Sequence, residues 1–176
     1  MSAPDRPGRP TSYPYTLVVF AGVAYFALVV CAFGFLSLLT NTDVVSQPDA
    51  GPLVGPAATG SAVLTLLLFL IDVARRYERD LRAAVAASSL RPVRLPLGRS
   101  ILIGAVSFAA YVIVGSVLYA MTTEQLFSAV LFAADASLSG YGLAAGVLAA
   151  VVSALYMVVL ATGGEHPARP LWPWER

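Results

Sequence analysis

Apolar residues fall into four long runs, Tyr15 to Thr40, Ala57 to Ala74, Ser100 to Met121 and Ser139 to Thr162, with charged and turn-forming residues gathered between them. Crossing roughly 30 Å of hydrocarbon takes about 17 to 25 residues of α-helix, a span each run reaches. Backbone groups in lipid must bond within their own segment, so the pattern predicts four helices and no open sheet. The expected fold is an all-α membrane protein whose four transmembrane helices form a bundle over 15–162. A disordered leader at 1–14, rich in proline, precedes it and a tail at 163–176 follows. The first run is too long for a cleaved signal core and is read as a retained anchor.

A shorter pattern precedes the fourth run. Thr122 to Gln125 has the Thr-x-x-Gln form of a capping box, and Leu126, Phe127, Val130, Leu131 and Ala134 share a helical face. This predicts a short amphipathic outer helix over 123–135, either flat on the membrane surface or re-entrant. The following Ser139-Gly140-Tyr141-Gly142 superficially matches a potassium-channel filter, but Leu138 and Leu143 stand where Thr and Asp are needed. Gly140 and Gly142 are instead expected to begin helix four.

Composition strengthens the membrane reading. The chain is 58% apolar and 12% charged, with a mean hydropathy of +0.77, whereas soluble domains carry about 25% charged residues. All basic residues are arginine, which with abundant Ala, Gly and Pro points to a GC-rich genome. The single cysteine, Cys31, excludes an intramolecular disulfide.

The arginines set the orientation. Arg6 and Arg9 precede the first helix; Arg75, Arg76, Arg79, Arg82, Arg91, Arg94 and Arg99 fill the loop at 75–99; Arg169 and Arg176 lie in the tail. The other two connections carry acidic residues and no basic one. Lys and Arg stay cytoplasmic, so both termini and the 75–99 loop are expected inside. Its seven arginines are candidate contacts for lipid headgroups or a partner. Arg75 to Leu90 keeps helical character, so helix two is expected to run on beyond the membrane until Pro92 ends it.

Within lipid, stripes of small residues let helices approach. Gly142, Gly146, Ala150 and Ala154 recur every four residues in helix four, and Ala24, Ala27, Cys31 and Gly34 recur at three and four in helix one. Both are candidate packing faces, within the bundle or in a homodimer. Tyr25, Ser107, Tyr111, Ser116, Ser153 and Tyr156 can bond across helices or line a narrow cavity, and structural bonding is the expectation. Asp72 lies where Arg75 and Arg76 can pair with it.

Three segments carry a family resemblance: Gly34-Phe35-Leu36-Ser37-Leu38-Leu39-Thr40, Gly51-Pro52-Leu53-Val54-Gly55-Pro56, and the terminal Arg169-Pro170-Leu171-Trp172-Pro173-Trp174-Glu175-Arg176. Together they resemble a family of uncharacterised four-helix integral membrane proteins from GC-rich actinobacteria. The resemblance implies a source and a topology, with no functional residue to carry over.

No grouping of Ser, Cys, His, Asp or Glu converges on a catalytic or metal site; His166 in the tail and Cys31 are expected on opposite sides of the bundle. No cofactor is expected, and no nucleic-acid-binding motif is present. The favoured reading is a non-catalytic accessory or assembly subunit in the cell membrane, contacting lipid and a larger membrane complex or a second copy of itself. The alternative is a small transporter or channel component built on the polar groups of helices three and four.

Overall fold

Pro14 stands in the first turn of α1 (Tyr13–Thr40), where its missing N–H removes no helical hydrogen bond. Asn41, in the left-handed region at φ 51°, follows its last residue and turns the chain out of the helix. The computed structural model describes residues 13–41, 51–86, 98–123 and 126–164. They form four further helices: α2 (Val54–Ala86), α3 (Gly98–Thr123), α4 (Leu126–Leu138) and α5 (Gly140–Gly164). Four of the five are long and apolar enough to cross a membrane: Tyr13–Thr40, Val54–Asp80, Gly98–Thr123 and Gly140–Leu160. The expected leader and tail lie outside the described residues, except for Tyr13, Pro14, Gly163 and Gly164.

Helix α2 starts at Val54, so Pro56 falls in its first turn, and it continues past Ala74 to Ala86 as its charge spacing suggested, while the expected continuation to Leu90 and stop at Pro92 lie outside the described residues. At 33 residues it is about 50 Å long, well beyond the thickness of hydrocarbon.

Side-chain contacts set an antiparallel order. At one end, the Tyr15 hydroxyl donates to Glu78 of α2, Asp72 pairs with Arg99 of α3, and the Tyr156 hydroxyl of α5 donates to the Pro14 carbonyl. At the other, Gly51 lies against Thr122 and Gly140 against Leu36. Helix α1 packs on α2 and α5, α3 packs on α2, α4 and α5, and α2 meets α5 across the middle. Helices α1 and α3 therefore occupy opposite corners.

The interior holds Tyr25, Val29, Leu66, Leu70, Ile103, Met157 and Leu160. The outside is equally apolar, exposing Phe20, Leu38, Leu64, Leu68, Ile101, Ile113, Leu143 and Leu155. Between 28% and 44% of each candidate span is buried inside the bundle. Water penalises apolar surface by about 25 cal/mol per Å², and soluble monomers rarely expose patches beyond a few hundred Å². This outer surface suits lipid.

The segment before the fourth span departs from expectation. It is helical over Leu126–Leu138, later than the expected 123–135, and the Thr122 hydroxyl donates to the Tyr119 carbonyl in the last turn of α3 instead of capping α4. Phe132 stacks on Tyr119 at 5.0 Å and lies against Gly115, while Ala136 meets Gly142. Helix α4 therefore runs back along α3, in line with α5, and is not laid flat across the bundle end. Its expected apolar face points outward at Phe127, Val130, Leu131 and Ala134, and it packs through Phe132 and Ala136. The reason is the solvent: where both faces meet apolar surroundings, hydrophobicity no longer marks the packed one.

Candidate functional site

Helices α3 and α5 cross through glycine. A Cβ on Gly104 would stand 2.7 Å from the Gly146 carbonyl oxygen and 2.8 Å from Ala150 Cβ, and one on Gly146 would stand 2.8 Å from Phe108 Cβ. A Cβ on Gly142 would meet the Ala136 carbonyl oxygen at 2.7 Å, so this glycine admits the junction of α4 and α5 as well as the Phe108 and Tyr111 rings of α3. Of the expected stripe in this helix, Gly142 and Gly146 are buried and Ala150 and Ala154 half-buried. The partner glycine was not singled out in the sequence, although Gly104, Tyr111 and Gly115 repeat at seven and four residues, a usable signal.

The stripe in α1 is turned the other way. Ala24, Ala27, Cys31 and Gly34 are exposed, and nothing approaches within 4 Å of where a Gly34 Cβ would be. They make no packing face inside the bundle, contrary to the intramolecular expectation. The buried face of α1 is Val18, Gly22, Tyr25, Val29 and Phe33. A tyrosine hydroxyl gains by leaving lipid for a carbonyl, and Phe33 places its ring 5.3 Å from that of Tyr141 and 6.1 Å from that of Tyr111, edge-on in both cases. Those demands orient the helix more strongly than small-residue spacing does.

A polar seam follows from this orientation. The buried Tyr25 hydroxyl donates to the Ala145 carbonyl at 3.0 Å, and that of Tyr156 to the Pro14 carbonyl at 3.2 Å, tying α1 to α5 twice. Ser61 of α2 shares its hydroxyl between the Ala58 and Ala110 carbonyls, at 2.6 and 3.1 Å, and so reaches α3. Ser116 and Ser153 donate to carbonyls of their own helices. Ser107, fully buried in α3, has no partner for its hydroxyl oxygen among the described residues.

A one-residue bend separates α4 from the fourth span in this region. Residue 139 bends, with its N–H still on the Asp135 carbonyl at 2.7 Å and its hydroxyl on that of Ala136 at 3.0 Å, and Gly140 opens α5 as expected. Phe33, Tyr111 and Tyr141 lie beside the bend.

At the arginine end, Asp72 accepts from Arg76 Nε at 2.8 Å and from an Arg99 terminal nitrogen at 3.0 Å. Arg76 was expected one turn along; Arg99 arrives from the start of α3, 27 residues on, and Arg75, the other expected partner, is exposed. Glu78 accepts from Arg82 at 3.2 Å and from Tyr15 at 3.4 Å. Arg75, Arg76, Arg79 and Arg82 are exposed, Arg99 is half-buried, and Arg91 and Arg94 lie outside the described residues. His166 also lies outside them.

A family of unknown function (DUF6121) matches residues 8–176 of the chain. No curated protein and no solved structure matches it.

Proposed function

The chain belongs to the family of unknown function (DUF6121), and from the geometry of its bundle we propose that it is a non-catalytic accessory or assembly subunit of the cell membrane. It crosses the bilayer four times, keeps both termini and the 75–99 loop in the cytoplasm, and packs against a larger membrane complex or a second copy of itself. What supports this reading is how the interior is filled. Among the described residues the buried polar side chains other than tyrosine are Ser100, Ser107 and Ser153, with no buried acid or base. Enzymes and ion-coupled carriers depend on such groups. The bundle offers apolar surface on its flanks and basic charge at one end, the features of a protein that packs and is oriented. A tagged copy expressed at native level and purified in mild detergent is expected to bring down a reproducible, stoichiometric membrane partner or to run as a defined homo-oligomer. A monomer without any such partner contradicts the proposal.

A second reading, a small transporter or channel component, draws on the bend at Ser139, where α4 meets the fourth span beside the Tyr111 ring. That reading expects ion or solute flux in reconstituted vesicles, changed by Tyr111→Phe or Gly142→Ala. Absence of flux across a panel of ions and solutes counts against it.

A further inference from the structure

We propose that Arg75 and Arg79 of α2 form a binding site for the headgroup of an anionic glycerophospholipid. The inference rests on the membrane embedding proposed above and goes beyond general basicity to two particular side chains. Beyond Val73 and Ala74, which are buried, the helix keeps Tyr77 against the core and exposes Arg75, Arg76, Arg79, Asp80 and Arg82. Along this stretch the acids are already engaged: Asp72 holds Arg76 and Arg99, and Glu78 holds Arg82 and Tyr15. Asp80, the remaining acid of the segment, lies about 100° round the helix from Arg79.

Arg75 and Arg79 are left without a carboxylate among the described residues. They are one turn apart, about 6 Å along the axis and about 40° around it, so both project from one face. Arg79 Nε donates to the Arg75 carbonyl at 3.3 Å, which holds the Arg79 stem close to the helix while its terminal nitrogens remain to donate. Their depth fits a phosphate. Tyr15 bonds Glu78, which places the Tyr15 ring beside this stretch of α2, and tyrosine settles at headgroup level. Two guanidinium forks at that depth suit the paired oxygens of a phosphodiester.

The test uses the full chain in detergent and native mass spectrometry, with dioleoylphosphatidylglycerol and dioleoylphosphatidylcholine as probes. The native chain is expected to retain phosphatidylglycerol over phosphatidylcholine by about thirtyfold, the factor two arginines supply beside anionic lipid. The double variant Arg75→Gln/Arg79→Gln is expected to lose that preference, and Arg82→Gln, whose side chain is held by Glu78, to keep it. Equal retention of both lipids by the native chain overturns the proposal, as does a preference that survives in the double variant. Displacement of the lipid by millimolar inorganic phosphate overturns the lipid source in favour of a free anion. Loss of a co-purifying protein, with lipid preference unchanged, assigns the surface to that protein and overturns the proposal. Recovery of the chain in the soluble fraction on cell fractionation identifies a failure of the embedding itself.

Discussion

Gly104 of α3 and Gly146 of α5 lie each in the place the other's side chain would need: a Cβ on the first falls 2.7 Å from the carbonyl oxygen of the second, and a Cβ on the second 3.1 Å from that of the first. Backbone meets backbone at this crossing, where Cα–H groups can point at facing carbonyls. In lipid there is no hydrophobic force to compensate for a poor fit, so such closeness is what holds the two helices.

Gly104→Val and Gly146→Val are therefore expected to destabilise the bundle by about 2 kcal/mol or more, since the obstructing atoms are backbone or Cβ atoms fixed to it and cannot swing aside. Unfolding by added dodecyl sulfate in bicelles measures this. Gly34→Ala, at the open face of α1, is expected to stay within about 0.5 kcal/mol of the native chain. Equal losses at all three positions would remove the crossing from the account.

Asp72 and Arg99 join α2 to α3 with side chains that remain 39% and 28% exposed. A double-mutant cycle with Asp72→Asn and Arg99→Gln is expected to give a coupling of about 0.5 to 1 kcal/mol, shrinking at high salt. A coupling of zero would mean that solvent screens the pair completely.

Tyr25 and Ser107 make opposite tests of the seam. Tyr25→Phe removes a buried bond to the Ala145 carbonyl and is expected to lose roughly 0.6 kcal/mol, the average for interhelical hydrogen bonds inside a membrane. Ser107→Ala deletes a hydroxyl with no partner among the described residues and is expected to cost nothing or to stabilise. A loss above about 1 kcal/mol for Ser107→Ala would show that its hydroxyl is holding something.

The four long helices were legible because an apolar run of spanning length has few alternatives, and the continuation of α2 because Glu78 and Arg82 keep helical spacing beyond Ala74. Packing faces were harder to read. In α5 small residues mark the buried face, yet in α1 Ala24, Ala27, Cys31 and Gly34 face outward while Tyr25 and Phe33 face in. The sequence pattern carries no polar-to-apolar contrast across a helix with apolar surroundings on both sides, so orientation is decided by what each side chain meets, such as the Ala145 carbonyl for Tyr25. The pairing of Asp72 with Arg99 was hidden for a related reason: local spacing pointed to Arg75 and Arg76, and a contact 27 residues away depends on the antiparallel register of α2 and α3. Helix α4 shows the same limit, since Phe127, Val130 and Leu131 form its most apolar face and Phe132 makes its contacts.

The account depends most on the bundle lying in a bilayer with its arginines on the inner side. Labelling of single cysteines by a membrane-impermeant maleimide, in a Cys31→Ser background, tests that directly. Gln47→Cys is expected to react in intact cells, and Ser2→Cys and Ser88→Cys only after permeabilisation. Reaction of Ser88→Cys in intact cells would contradict the account.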